Sequence, residues 1–391
     1  MGNPLVSPKY TWFPFKSIIG WALRGAKTAA VYGVEWDYSQ SSTKLSRTNE
    51  AATFADPVPA TDLTTVGTSP FDNVLPWSGM KRVQIGTDEM VYIPEFYFRV
   101  EDDQINQKMR WKITSEPKEG FSLHPGSGRY IARYHTSAGY ASVSGAMPVG
   151  GLTRATFRTN SHAKGSNWWM LDIATWSAIQ ILYLVEYADW NCQTTLGGGQ
   201  TSGSTIASGD TDSAMYHTIS RSGKSNQYRW IENPYSNIRD WVDGNTMVNN
   251  RVFVSTDNSG FNDNDVTNYI DTGLTIALGG SGAYITGLSI SEAAPWMFIP
   301  TKASGGSAST YIPDHVMSGS GYATRVVGGS ESNSGPWGLF KYDSNDNAGF
   351  AASNLGARLI YIPGEKRMLL SSDNHTLTDV NGLYLIPKED E

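Results

Sequence analysis

The sequence predicts a mixed but β-dominated fold organised around one main helix, and three observations carry that expectation. Short runs that alternate apolar and polar residues, bounded by turn residues, recur along the 391 positions, as in YGVEWD, VYIPEFYFRVED and MRWKITSE. Glycine occurs 40 times and aromatic residues make up 12% of the chain against only 17% charged, a balance that suits rigid strands and loops with uncharged polar surfaces. One stretch, residues 173 to 189, sustains helical spacing of apolar residues.

Residues 1–30 read as an arm for docking or oligomerisation, with aromatic anchors Tyr10, Trp12, Phe13 and Phe15 ahead of an Ala/Gly-rich stretch. Its apolar run from Ile18 to Leu23 is broken by Gly20 and is too short for a signal peptide or a membrane span, so no membrane insertion is expected. Residues 31–110 form a β-rich module: YGVEWD, a Thr/Ala/Pro-rich loop through Thr68, FDNVLPWSGM, then alternating strands. Residues 111–363 form one large C-terminal domain, and residues 364–391 a strand, GLYLIP, with a charged tail.

Within the large domain, Asp172 is placed to cap the helix. Ile173, Trp176, Gln180, Tyr183 and Tyr187 mark one stripe, and Ile179, Leu182 and Val185 a second, so the helix should be buried on both sides. Gly197, Gly198 and Gly199 read as its C-terminal stop. Beyond them, Gly/Ser/Asn-rich segments such as SGGSAST and GGSESNSGPWG alternate with short strands, the pattern of a packed loop scaffold.

Composition excludes several function classes. With 30 Lys and Arg against 37 Asp and Glu, the formal charge is -7, and no basic run is present to track a phosphate backbone, so no nucleic-acid partner is expected. Cys192 stands alone, which rules out an intramolecular disulfide and any cysteine zinc cluster. The six histidines are scattered without metal-ligand spacing, and no GxSxG elbow, P-loop or strand-linked GxGxxG occurs. Asp314 and His315 read as a turn after Pro313. For glycan cleavage the carboxylates to consider are Glu186, Glu232, Asp240 and Asp243, each with a competing structural role; Glu186, between aromatics on the helix, reads as a buried acceptor for backbone donors. The Asp/Asn-rich segment Asp257 to Asp271 has the oxygen density that Ca²⁺ asks for, without EF-hand spacing. Turn formation is its expected role, so no cofactor is expected and Ca²⁺ is the one metal the chain could invite.

Three stretches are more specific: WWMLDIATWSAIQILYLVEYADWNCQTTLGGG, then YRWIENPYSNIRDWVDG, then GLFKYDSNDNAGFAASNLGARLIYIP. Together they resemble phage and prophage proteins with a C-type-lectin-like domain, the broad group that includes formylglycine-generating-enzyme-like folds and the tropism determinants of diversity-generating retroelements. The likeness runs from about Val31 to Pro363, departing at Trp230 and at Pro234, Tyr235 and Ser236, where relatives are richer in glycine. It implies a C-type-lectin-like domain over 111–363 with a mixed sheet. The enzymatic branch acts through paired cysteines, which a chain with Cys192 alone lacks, so no enzymatic activity is expected.

In tropism determinants, exposed variable positions precede the final strand. Carried over, they are Glu331, Ser332, Asn333, Trp337, Lys341, Tyr342, Asp343, Asn345, Asn347 and Phe350, flanked by Gly328, Gly329, Gly356, Ala357 and Arg358 as scaffold. Aromatic residues with Asn and Ser neighbours suit a binding surface, while Phe340 reads as core beneath the loop. The resemblance implies a receptor-binding protein of a phage tail fibre or tail tip, recognising a bacterial surface protein or polysaccharide. It would be made in the host cytoplasm, displayed on the virion as a homotrimer, and joined to other virion proteins by the arm. The alternatives are a decoration, collar or baseplate component that binds no receptor and, more remotely, a glycan-cleaving depolymerase.

Overall fold

A computed structural model of the chain describes residues 29–59, 67–212, 224–278, 282–332 and 337–364, and the backbone of 369–370 and 377–378. The expected arm up to residue 28, Asn333 and most of the tail, GLYLIP included, lie outside the described residues. Strands dominate, and no helix among the described residues is long and apolar enough to cross a membrane.

The first sheet is antiparallel, in the order Ser46–Asn49, Tyr32–Asp37, Lys108–Thr114, Tyr97–Asp103, Ser122–Leu123. Its alternation is the one read from YGVEWD: Val34 and Trp36 are buried, while Glu35 between them turns outward to Lys108 and Arg110, both at 2.6 Å. The boundary expected at residue 110 falls inside Lys108–Thr114, whose residues 108–113 pair with Tyr32–Asp37. The loop expected up to Thr68 begins with structure, the strand Ser46–Asn49 and a 3₁₀ turn at Glu50–Thr53.

A second antiparallel sheet runs Lys81–Ile85, Asp88–Ile93, Arg129–Ala132, Leu359–Tyr361, Trp168–Met170. The third and largest is mixed, in the order Ile270–Thr275, Arg251–Val254, Arg239–Val248, Tyr322–Val327, Tyr342–Ser344, Ile312–Ser318, Ala283–Ile285, with Leu355–Gly356 added parallel to Arg239–Val248. It is curled: Ile299–Lys302 approaches both of its edge strands, Ile270–Thr275 and Ala283–Ile285.

The main helix spans Ile173–Tyr187, and all its residues are buried because both apolar stripes are covered. One side meets Tyr32–Asp37 and Lys108–Thr114, the other Arg239–Val248. Asp172 caps it, accepting from Thr175 N at 2.7 Å, and also receives Arg129 (2.7 Å) and Asn258 (2.9 Å). The helix ends at Ala188, whose φ of 49° is left-handed, rather than at a glycine. In its last turn the Glu186 carbonyl accepts from Arg47 at 2.6 Å, and one turn earlier Trp77 Nε1 donates to Leu182 O at 3.0 Å. The glycines at 197–199 instead come after a separate one-turn helix, Cys192–Thr195. A second helix, Arg154–His162, capped by Thr153, was not legible in the sequence. One hydrophobic core runs from Tyr32 to Ile360 and joins the main helix to the first and third sheets.

Candidate functional site

The strand Ile312–Ser318 presents two faces. Ile312, Asp314, Val316 and Ser318 point inward and are buried, whereas His315 and Met317 are half-exposed on the outer face. Asp314 and His315 are therefore strand residues, not the turn expected after Pro313, because Pro313 sits where the neighbouring edge strand, Ala283–Ile285, changes register and asks no ladder donor of it.

On that outer face Tyr284 stands opposite His315 in antiparallel register, ring centroids 4.5 Å apart. Trp337 continues the row at 5.4 Å from His315. All three rings are half-exposed. Burial, and then the charge of Lys341, hold the His315 pKa below its ordinary value, so at neutral pH the imidazole offers one N–H donor and one acceptor. Behind the row the Lys341 ammonium lies 4.3 Å from the Trp337 ring centroid and 2.9 Å from Asp343 Oδ2.

Trp337 is fixed by the backbone that follows it. Gly338 N and Phe340 N donate to the Asp314 carboxylate at 2.5 and 2.8 Å, Leu339 N to Cys192 Sγ at 3.2 Å, and Gln180 of the main helix donates to Leu339 O at 2.7 Å. A side chain at Gly338 would put its Cβ 2.3 Å from Cys192 Sγ, and one at Gly329 would fall 2.4 Å from Trp337 Cβ, so both positions require glycine for close approach. Burial pushes the Asp314 carboxyl up to about 7, against the lowering effect of those two backbone donors.

Of the ten positions expected to be exposed, nine are described, and three of those are buried. Lys341, Tyr342 and Asp343 are buried at 1%, 0% and 1% exposure. Tyr342–Ser344 is an inner strand, flanked by Tyr322–Val327 and Ile312–Ser318, with Tyr342 in the core on one face and Asp343 covered on the other by Lys341, which lies against Trp337. Tyr342 faces the core and donates to Asn245 Oδ1 at 3.0 Å. Ser332, Asn345, Asn347 and Phe350 are exposed, Glu331 and Trp337 half-buried, and Phe340 is core as expected. Asn347 accepts from Gly349 N at 3.0 Å and so partly serves its own turn, while Ser332 accepts from the distant Asn354 at 2.7 Å.

The acidic candidates for glycan chemistry are buried and engaged. Glu186 is buried as expected and accepts from the side chains of Ser69 (2.7 Å), Tyr228 (3.1 Å) and Arg229 (2.5 Å). Glu232 holds Gly209 N and Thr211 N at 2.8 and 2.7 Å. Asp240 lies between His135 (3.1 Å) and Arg358 (3.0 Å), and Asp243 faces Arg158 at 2.5 Å. In the Asp/Asn-rich segment, Asp263 is held by Arg154 and Arg158, both at 2.7 Å, while Asp257 and Asp265 close turns on Ser259 and Thr267.

No family model and no curated protein matches the chain. Among solved structures it is similar to a Major Tropism Determinant U1 variant at 8% identity, over 86% of this chain and 73% of that one, with a TM-score of 0.31.

Tyr284 and His315 were missed in the sequence, although a signal was present. The alternation in IPDHVMS places His315 and Met317 on one face, and AYI places Tyr284 opposite to its neighbours.

Proposed function

We propose that the chain is a non-enzymatic recognition protein of a phage particle. It binds a receptor on the bacterial surface, polysaccharide or protein, through the outer face formed by Tyr284, His315 and Trp337 and the exposed 345–350 turn. The observation that carries this reading is the half-exposed row of three rings held on a rigid sheet. Rings fixed before binding lose little conformational freedom on contact, and the neutral imidazole adds a donor and an acceptor without a charge to desolvate. The motifs around the main helix and the NLGAR strand, which resemble C-type-lectin-like phage proteins, support the same reading. In it the arm joins the chain to the particle, and a homotrimer turns weak single contacts into avidity.

The test compares purified wild type with a His315→Ala/Trp337→Ala variant of unchanged circular dichroism, measuring binding to cells of the host and competition with phage adsorption. Loss of a central aromatic anchor costs about 2 kcal/mol, so binding should fall by roughly 30-fold or more. A variant that binds as wild type does removes the receptor site from this face. If neither binds, yet both are retained in intact particles, the chain is a decoration, collar or baseplate component.

A further inference from the structure

We propose that the inside of the curled sheet holds one small monovalent anion, a halide, against the guanidinium of Arg325. Arg325 lies on the inner face of Tyr322–Val327, between Ala323 and Val327, both core residues, and is 2% exposed. Its head rests 3.4 Å from the Tyr342 ring centroid, and Nη2 donates to Lys341 O at 2.5 Å. Nε and Nη1 are buried and have no hydrogen-bond partner among the described residues.

Among the described residues no carboxylate pairs with it. Asp343, the carboxylate whose field reaches Arg325, pairs with Val326 in the ladder, so it projects from the opposite face of the sheet, where Lys341 occupies it at 2.9 Å. Asn245 is used in both directions, donating to Phe253 O at 3.0 Å and accepting from Tyr342 at 3.0 Å. By the same register Ser344 faces inward beside Arg325, and Ser318 beside Ser344. The Ser344 hydroxyl, near that of Tyr342, forms no hydrogen bond of ordinary geometry.

A buried guanidinium with two nitrogens lacking acceptors is costly unless a counter-charge and acceptor are supplied. Burial lowers its pKa to about 10, which leaves it charged at neutral pH. A water would accept one N–H without compensating the charge. An oxyanion such as phosphate brings more charge and more acceptor oxygens than one guanidinium and one hydroxyl can satisfy. A halide matches both: one charge, spherical, with no proton of its own.

The site is read directly by growing crystals of the wild-type chain in bromide and measuring anomalous scattering. A bromide peak in contact with Arg325 Nε and Nη1 is expected. In solution the melting temperature should rise with chloride at constant ionic strength, gluconate being the bulky replacement, and should level off as the site fills. Arg325→Met should abolish that dependence, and the wild-type series stands alone if this variant does not fold. An ordered water or an empty position beside Arg325, or a melting temperature indifferent to chloride, overturns the proposal. Neither measurement depends on the receptor reading.

Discussion

Substituting Lys341 or Asp343 by Ala should cost the fold several kcal/mol, although both were expected from the sequence to be exposed binding positions. The ammonium and carboxylate are 2.9 Å apart and each side chain is 1% exposed. Removing one partner of such a pair strands the other charge in the interior, at about 3–5 kcal/mol. Lys341→Ala belongs at the lower end, about 3 kcal/mol, because Arg239 stays 3.8 Å from Asp343 and offsets part of its charge. Asp343→Ala belongs nearer the upper end, about 5 kcal/mol, since the ammonium is then left against the Trp337 ring without its carboxylate. Burial already depresses the Lys341 pKa, so loss of its proton limits that cost. Replacing both charges with apolar residues of similar volume, Lys341→Met with Asp343→Leu, should return stability to within about 1 kcal/mol of wild type. The assay is urea unfolding, read as a shift of the midpoint at constant slope. Single variants within about 0.5 kcal/mol of wild type, the range for open surface positions, would refute the burial argument.

Three other outcomes are expected from the same geometry. The folded-state pKa of Asp314 is raised from 3.8 to about 7, so between those values the folded chain keeps a proton that the unfolded chain has released. This contribution is full below 3.8 and is lost as pH rises through about 7, so wild-type stability should fall by up to about 1.4 kcal/mol per pH unit across that window relative to Asp314→Asn; parallel pH profiles for the two proteins count against it. Gly338→Ala should destabilise by about 1–3 kcal/mol through the clash with Cys192, and by less in a Cys192→Ala background if that contact is the cause. Asp263→Ala should lower the urea midpoint by about 2–4 kcal/mol equivalent by uncovering Arg154 and Arg158, whereas a chelator should leave the wild-type melting temperature unchanged; a chelator-induced drop would return Ca²⁺ to the 257–271 segment.

The sequence determined by itself those features that neighbouring residues decide among themselves. The alternation in YGVEWD and MRWKITSE became paired strands with Val34, Trp36, Met109 and Trp111 buried, and Asp172 with its two apolar stripes became a capped helix buried on both sides. The helix Arg154–His162 was hidden because RATFRTNSH has Phe157 as its one large apolar residue; the rest of its buried face is Ser161 and Arg154, the latter held by Asp263 and the carbonyls of Val242 and Asn245. Lys341, Tyr342 and Asp343 have the composition of an exposed turn, and no local pattern separates that from an inner strand. Only the pairing of Tyr342–Ser344 with Tyr322–Val327 and Ile312–Ser318, from other parts of the chain, removes those side chains from water. The same long-range register set Tyr284 opposite His315 and brought Trp337 beside them. Turn, cap and periodicity preferences act over a few residues and can be read along the chain, whereas burial of a polar strand and assembly of a surface depend on which distant strands become neighbours, which tertiary packing alone decides.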